Sequence, residues 1–202
     1  MLKMEIHQFV NSVYNSNTFI ISDNGKAIIV DLGDYEPVKD FLLRNDLKPE
    51  AVLITHVHYD HIYGLTTFMK DFPETPVFTS EEGKESFKKP KWNFSKYHDD
   101  PISFESLQIK VLSKQQGILT LNLPVEYIFT PGHDHSCITY KIGECLFTGD
   151  SYIPGVKVVA TFSKSDKLKA KEWYDKLGVM AESFDIYPGH GEIKLRPQIH
   201  SI

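Results

Sequence analysis

Short apolar runs alternate with stretches of helical periodicity along the chain. Residues 19–22 and 26–31 read as two strands, joined by Asp23-Asn24-Gly25, whose residue types suit a tight hairpin turn. In residues 36–45, Val38, Phe41 and Leu42 share a face and Pro37 falls in the first turn, where it costs no hydrogen bond, so a helix is predicted. Residues 51–55 form a continuous apolar run, as in a buried strand. The pattern then predicts a helix over 61–71, a strand over 77–79 and a helix from Ser80. Strands follow over 107–112, 126–130, 137–142 and 144–148. The last clear helix is 166–181 and the last clear strand 185–187. Many short strands with interspersed helices favour a layered α/β domain over a bundle or an all-β sandwich. No repeat or linker interrupts the chain, so residues 1–202 are expected to form a single domain. The least regular stretch, 88–103, carries Lys88, Lys89, Lys91, Trp92, Phe94, Lys96 and Tyr97. It reads as a solvated surface loop or as a basic aromatic lip over a site.

Composition narrows the class. Hydrophobic residues make up 41% of the 202, enough for a core that stands without disulfides or structural metal. The formal charge of −5 argues against a chain whose task is neutralising nucleic-acid phosphates, so long nucleic acids are not expected as partners. No apolar run approaches the roughly 18 residues of a membrane span. The first residues, Met1 to His7, lack the apolar segment of a signal peptide, and the expected location is the cytoplasm. Cys137 and Cys145 are too few for a disulfide framework and fall in strand-like segments, so both are expected to be buried and structural.

The chemistry concentrates in Thr55-His56-Val57-His58-Tyr59-Asp60-His61. Three histidines and an aspartate fall within six residues, directly after a buried strand. Alternating His56 and His58 can face one point, and Asp60 and His61 a second point after the chain turns. Imidazole with carboxylate suits zinc, iron or manganese. Three further segments share one form, an apolar strand, a glycine and then a ligand-type side chain. They end in Gly132-His133, Gly149-Asp150 and Gly189-His190. Glycine allows the sharp turn or close approach that such a position needs.

These motifs resemble those of the metallo-β-lactamase-fold hydrolases. His-x-His-x-Asp-His, Thr-Pro-Gly-His, Phe-Thr-Gly-Asp and Pro-Gly-His-Gly match in order and strand context from about Phe19 to Glu192, and Val30-Asp31-Leu32-Gly33 matches an early Asp-x-Gly turn. The resemblance implies a four-layer αββα sandwich with two divalent metals at one edge, zinc foremost and iron or manganese as alternatives. His56, His58 and His133 would hold the first ion, Asp60, His61 and His190 the second, and Asp150 would bridge them. Asp31 would support a ligand histidine from behind. Aspartate at 150 and histidine at 61 point to the glyoxalase II-like branch. The chain ends twelve residues after His190, which leaves no room for that enzyme's helical C-terminal domain. A compact relative acting on a small ester, thioester or lactone is expected. Its metal-bridging hydroxide would be available at a pKa of about 7, with Asp60 orienting it. About one net positive charge at the site favours a small anionic substrate. The runner-up is a persulfide dioxygenase with one iron on His56, His133 and Asp150, and a phosphodiesterase stands third. A metal-binding protein that has lost turnover is the non-enzymatic alternative. Departures from the family pattern are Tyr63, where a glycine is usual, and Asp134 and His135 beside the first metal.

Overall fold

The computed structural model describes residues 4–106 and 108–197. One sheet has the spatial order β1 (Glu5–Val10), β2 (Asn17–Asp23), β3 (Lys26–Val30), β4 (Lys48–Leu53), β5 (Val77–Ser80) and β6 (Ile109–Leu112). Its first three strands are antiparallel and β3 to β6 run parallel. The second sheet has the order β11 (Asp185–Pro188), β10 (Cys145–Gly149), β9 (Ile138–Ile142), β8 (Pro124–Phe129) and β7 (Gln116–Thr120). It is antiparallel except where β10 meets β11.

Side-chain alternation along the strands builds the layers. In β2 to β4, Phe19, Ile21, Ile28, Val30, Ala51 and Leu53 point at the second sheet, where Val125, Ile138, Tyr140 and Phe147 meet them. Their neighbours Ile20, Ala27, Ile29 and Val52 point outward. Helices α1 (Tyr35–Arg44), α2 (Leu65–Asp71) and α3 (Glu81–Phe87) cover that outer face through Val38, Leu42, Phe68 and Phe87. On the far side Leu146 and Ile186 pack against Leu177 and Ala181 at the end of α4 (Lys167–Met180). The result is an αββα sandwich. Both faces of the central strands are buried, which explains their unbroken apolar runs. Ser80 caps α3 by accepting from the Gly83 N–H at 3.1 Å. Asp166 caps α4 by accepting from Leu168 and Lys169 at 3.0 and 3.1 Å. Each cap contributes roughly 1 kcal/mol.

Four stretches differ from the sequence pattern. Edge strands β1 and β7 were not predicted. They are half-exposed, lack a buried face and exist through backbone pairing with β2 and β8. The predicted helix over 61–71 is divided into a single 3-10 turn, Tyr59–His61, and α2 from Leu65. Tertiary bonds interrupt it: Leu32 N–H donates to the His61 carbonyl at 2.8 Å, and Gly64 N–H donates to the Leu32 carbonyl at 3.2 Å. Finally, residues 88–103 are not a simple solvated loop, since Asn93 and Ser95 are fully buried. The predicted strand 107–112 begins at Leu107, which lies outside the described residues; β6 starts at Ile109. Both cysteines are free and buried, as expected. No helix among the described residues is long and apolar enough to cross a membrane.

Candidate metal centre

All the predicted ligand positions lie at one edge of the sandwich, where β3, β4, β8, β10 and β11 end. The parallel pairs β3/β4 and β10/β11 bring their C-terminal ends to a common edge. The two sheets are tied there by the Ile138 N–H, which donates to the Thr55 carbonyl at 2.7 Å. Glycine makes the crowding possible at two points. Gly149 has φ +51, and a Cβ on it would lie 2.4 Å from Thr55 Oγ1. A Cβ on Gly189 would lie 2.2 Å from Asp150 Oδ1. The strand–glycine–ligand form thus reflects close approach as well as turning.

Donor atoms of His56, His58 and His133 lie within 4.8 Å of one another, and so do those of Asp60, His61 and His190. His133 Nε2 is 2.9 Å from His58 Nδ1, and His61 Nε2 is 3.3 Å from His190 Nε2. Asp150 lies between the groups, 3.4 Å from His133 Nε2, 3.7 Å from His61 Nε2 and 3.6 Å from His190 Nε2. Asp60 Oδ2 is 3.4 Å from His61 Nε2 and 3.2 Å from His190 Nε2.

The opposite nitrogen is hydrogen-bonded from behind in four of the five rings, while His58 Nε2 is buried without a hydrogen-bond partner. His61 Nδ1 is 2.9 Å from Asp31 Oδ2, His133 Nδ1 2.7 Å from the Val159 carbonyl, and His190 Nδ1 3.2 Å from the Tyr14 carbonyl. His56 Nδ1 is 3.2 Å from Thr55 Oγ1, and His58 Nε2 is 3.6 Å from Asp134 Oδ2. Fixing one nitrogen this way selects the tautomer and aims the other, as metal ligands require. Asp31, His56 and His61 also cluster. The Asp31 oxygens, however, already accept from Thr55 N at 2.7 Å and Thr55 Oγ1 at 2.6 Å besides facing His61. Asp31 is therefore a support for His61, held with φ +55 at the end of β3.

Two observations test whether this set suits metal ions. His56 Nε2 and Asp150 Oδ1 are buried without a hydrogen-bond partner. Leaving such atoms unsatisfied costs about 1–3 kcal/mol each, which a cation would relieve. The charge balance agrees. Burial and the neighbouring His61, His58 and His133 rings hold His56 well below the usual histidine range, so it is neutral with a free lone pair. Burial opposes charge on His61, but the Asp60 and Asp31 carboxylates push its pKa up to about 10. Burial would raise Asp60, yet His61 and His190 hold it well below the usual carboxylate range. In effect, the proton on His61 offsets carboxylate charge that a cation would otherwise offset, and Asp60 and Asp150 raise His190 in the same direction against its burial. The donor set fits.

Above the cluster lies a cavity of about 440 Å³. The irregular 88–103 stretch contributes Phe94, Tyr97 and His98 to it, and the segment before α4 contributes Val159 and Phe162. Phe94 adopts a left-handed backbone, φ +62, at a cost on the order of 1–2 kcal/mol. Buried bonds hold it there. Asn93 Nδ2 donates to the Ser86 and Ile102 carbonyls, both at 3.0 Å, and Ser95 N–H donates to Asn93 Oδ1 at 3.0 Å. Only the aromatic content of residues 88–103 hints at this rim in the sequence. Tyr63 does not line the cavity. It stacks on Tyr59, and its hydroxyl donates to Asp34 at 2.5 Å. His135 is exposed and belongs to a separate cleft with Glu81, Glu85 and Trp92.

An αββα sandwich with two facing histidine–carboxylate groups at one edge defines a class of metal-binding proteins. The family model described as the metallo-beta-lactamase superfamily matches residues 11–190, and the chain belongs to that superfamily. It is 27% identical over 201 residues to a probable metallo-hydrolase of Streptococcus pyogenes serotype M6, covering 93% of this chain and 84% of that one. It is 31% identical over 134 residues to a hydroxyacylglutathione hydrolase of Pseudoalteromonas translucida, covering 66% of this chain but only 44% of that relative. Among solved structures it shares its fold with the BLEG-1 B3 metallo-beta-lactamase, with a TM-score of 0.84, 23% identity and coverage of 95% and 94% of the two chains. It also shares it with TTHA1623, solved in a di-iron-bound form, with a TM-score of 0.80, 18% identity and 94% coverage of each.

Proposed function

We propose that this protein is a dinuclear metal-dependent hydrolase of small ester, thioester or lactone substrates, with zinc as its resident ion. The observation that carries the reading is the pairing of two complete three-donor groups with one carboxylate, Asp150, between them. His56, His58 and His133 would hold the first ion, Asp60, His61 and His190 the second, and Asp150 would reach both. Bound there, the ions supply Lewis acidity and activation of water at neutral pH.

The chain's own residues do the rest. Asp60 stays ionised at neutral pH and can accept a hydrogen bond from the attacking water, orienting it toward the substrate carbonyl. Asp31 fixes the His61 ring, and the Val159 and Tyr14 carbonyls fix His133 and His190. The ring-lined rim limits the water that reaches the reacting centre. The positive field favours a substrate that bears or develops negative charge at its reacting oxygen. A single-iron dioxygenase on His56, His133 and Asp150 would leave Asp60, His61 and His190 without a task, although the fold assembles them just as closely. Two unpaired buried cysteines suit a reducing cytoplasm, where we place the protein.

Mass spectrometry of protein purified without added metal tests the proposal, together with turnover of a thioester, ester and phosphodiester panel. We expect two zinc ions per chain and ester or thioester hydrolysis. Asp60→Ala should lower that turnover at least 1000-fold with the far-ultraviolet circular dichroism unchanged. One iron per chain with oxygen consumption on persulfides would overturn it.

A further inference from the structure

The cavity over the metal-binding cluster is walled by rings, and no lysine or arginine lines it among the described residues. Lys88, Lys89 and Lys96 of the 88–103 stretch each have a partner outside the cavity interior or at its rim. Lys88 pairs with Glu85 and Glu105 at 2.7 and 2.9 Å. Lys89, and Lys164 from the neighbouring loop, rest on the Trp92 ring at 3.6 and 3.7 Å. Lys96 lies over the Tyr97 ring at 5.6 Å. Apart from the metal-binding cluster and His98, what faces the cavity is aromatic or aliphatic. Phe94 and Phe162 are 4.9 Å apart and lie against His58 at 4.7 and 5.4 Å. Beside His190, Tyr14 and Tyr59 both contact the His98 ring, Tyr59 face to face at 3.7 Å.

Phe94 is the telling residue. A bulky side chain in the left-handed region is unusual and persists only where its surroundings impose it. Here the fully buried Asn93 and Ser95 impose it, and the strain serves to present a ring to the reacting centre. Rings so placed recognise flat apolar groups by stacking and desolvation. They offer nothing to the carboxylates of a peptidic thiol such as glutathione.

Resting on the hydrolase reading above, we infer that the substrate carries a flat apolar ring next to the bond that is cut. That ring packs against Phe94 and Phe162, and the site discriminates against glutathione thioesters.

Binding is tested first, because it needs no turnover. Zinc-loaded protein is titrated calorimetrically with phenylacetate and with acetate, which share a carboxylate and differ by the ring. Phenylacetate should bind at least about tenfold more tightly, and Phe94→Ala and Phe162→Ala should each cut that ratio at least about threefold. Zinc content is measured in each variant, and if Phe94→Ala releases zinc the ratio is read from Phe162→Ala. Equal binding of the two acids overturns the inference and leaves the hydrolase reading standing. Catalysis is tested second, with phenylacetyl and acetyl thioesters of N-acetylcysteamine and of glutathione, and with S-phenyl thioacetate to place the ring on the leaving side. A higher kcat/KM for ring-bearing substrates and for the neutral thiol supports the inference, and a preference for glutathione overturns it. If no substrate turns over, the hydrolase reading fails, while calorimetry still decides whether the cavity selects rings.

Discussion

His58 and His61 stand three residues apart in one loop, yet two different buried carboxylates hold them. Asp31 faces His61 at 2.9 Å, is anchored by two short bonds from Thr55, and comes from the end of β3 in the first sheet. Asp134 faces His58 at 3.6 Å and comes from the loop after β8 in the second sheet. Its Oδ1 accepts from Ser136 N at 2.8 Å and from Ser136 Oγ at 2.5 Å, so its firmest bonds are local. Burial raises Asp31 despite its partners, whereas His58 and Ser136 outweigh burial at Asp134 and lower it. One histidine is thus clamped to a central strand and the other leans on a loop. In a two-ion site, the ion nearer His61 should be the more rigidly supported and the more sensitive to loss of its carboxylate.

A large effect is expected from Asp31→Asn, which tolerates the left-handed backbone and removes the charge together with one of the two acceptor oxygens. Affinity at the Asp60–His61–His190 group should fall roughly 10–100-fold, read as loss of one of two zinc ions during dialysis against a graded chelator. Asp134→Asn should act on the His56–His58–His133 group by a smaller factor, about 3–10-fold. If its effect equals or exceeds that of Asp31→Asn, the contrast drawn from the distances is wrong. The same contrast is sharpened by the pH dependence of chelator-treated protein. His61 carries a folded pKa of about 10 against an ordinary 6.5. Its stabilisation is therefore complete below about pH 6.5 and fades as the pH rises toward 10. The Tm of metal-free protein should drop across that window. Asp31→Asn should flatten the drop and Asp134→Asn should leave it. Metal-loaded protein should lack it, because a ligated Nε2 has no proton to lose.

The residues proposed as metal ligands could be singled out in the sequence because their chemistry is local. Histidines and aspartates stand in short motifs at strand ends, and the structure gathers all seven at one edge. The two-faced burial of β2 to β4 was equally legible as unbroken apolar runs. Edge strand β1 was not, since its polar Glu5, His7 and Gln8 break the alternation and only pairing with β2 fixes it. Asp134 read as an additional ligand type beside the first metal, whereas its carboxylate lies on the far side of the His58 ring from His133. The rim was illegible for another reason. Tyr14, Tyr59, Phe94 and Phe162 come from four separate segments with no shared period, and only the folded chain makes them neighbours.

Lys89 and Lys164 on Trp92 have a mechanical meaning as well as an electrostatic one. Trp92 and Phe94 ride on one loop, Lys164 and Phe162 on another, so the indole contact joins the two segments that set rings over the metal-binding cluster. Moving either segment away from the other would break that contact. With only two tryptophans in the chain, Trp92 also places one of its few fluorophores where these two segments meet.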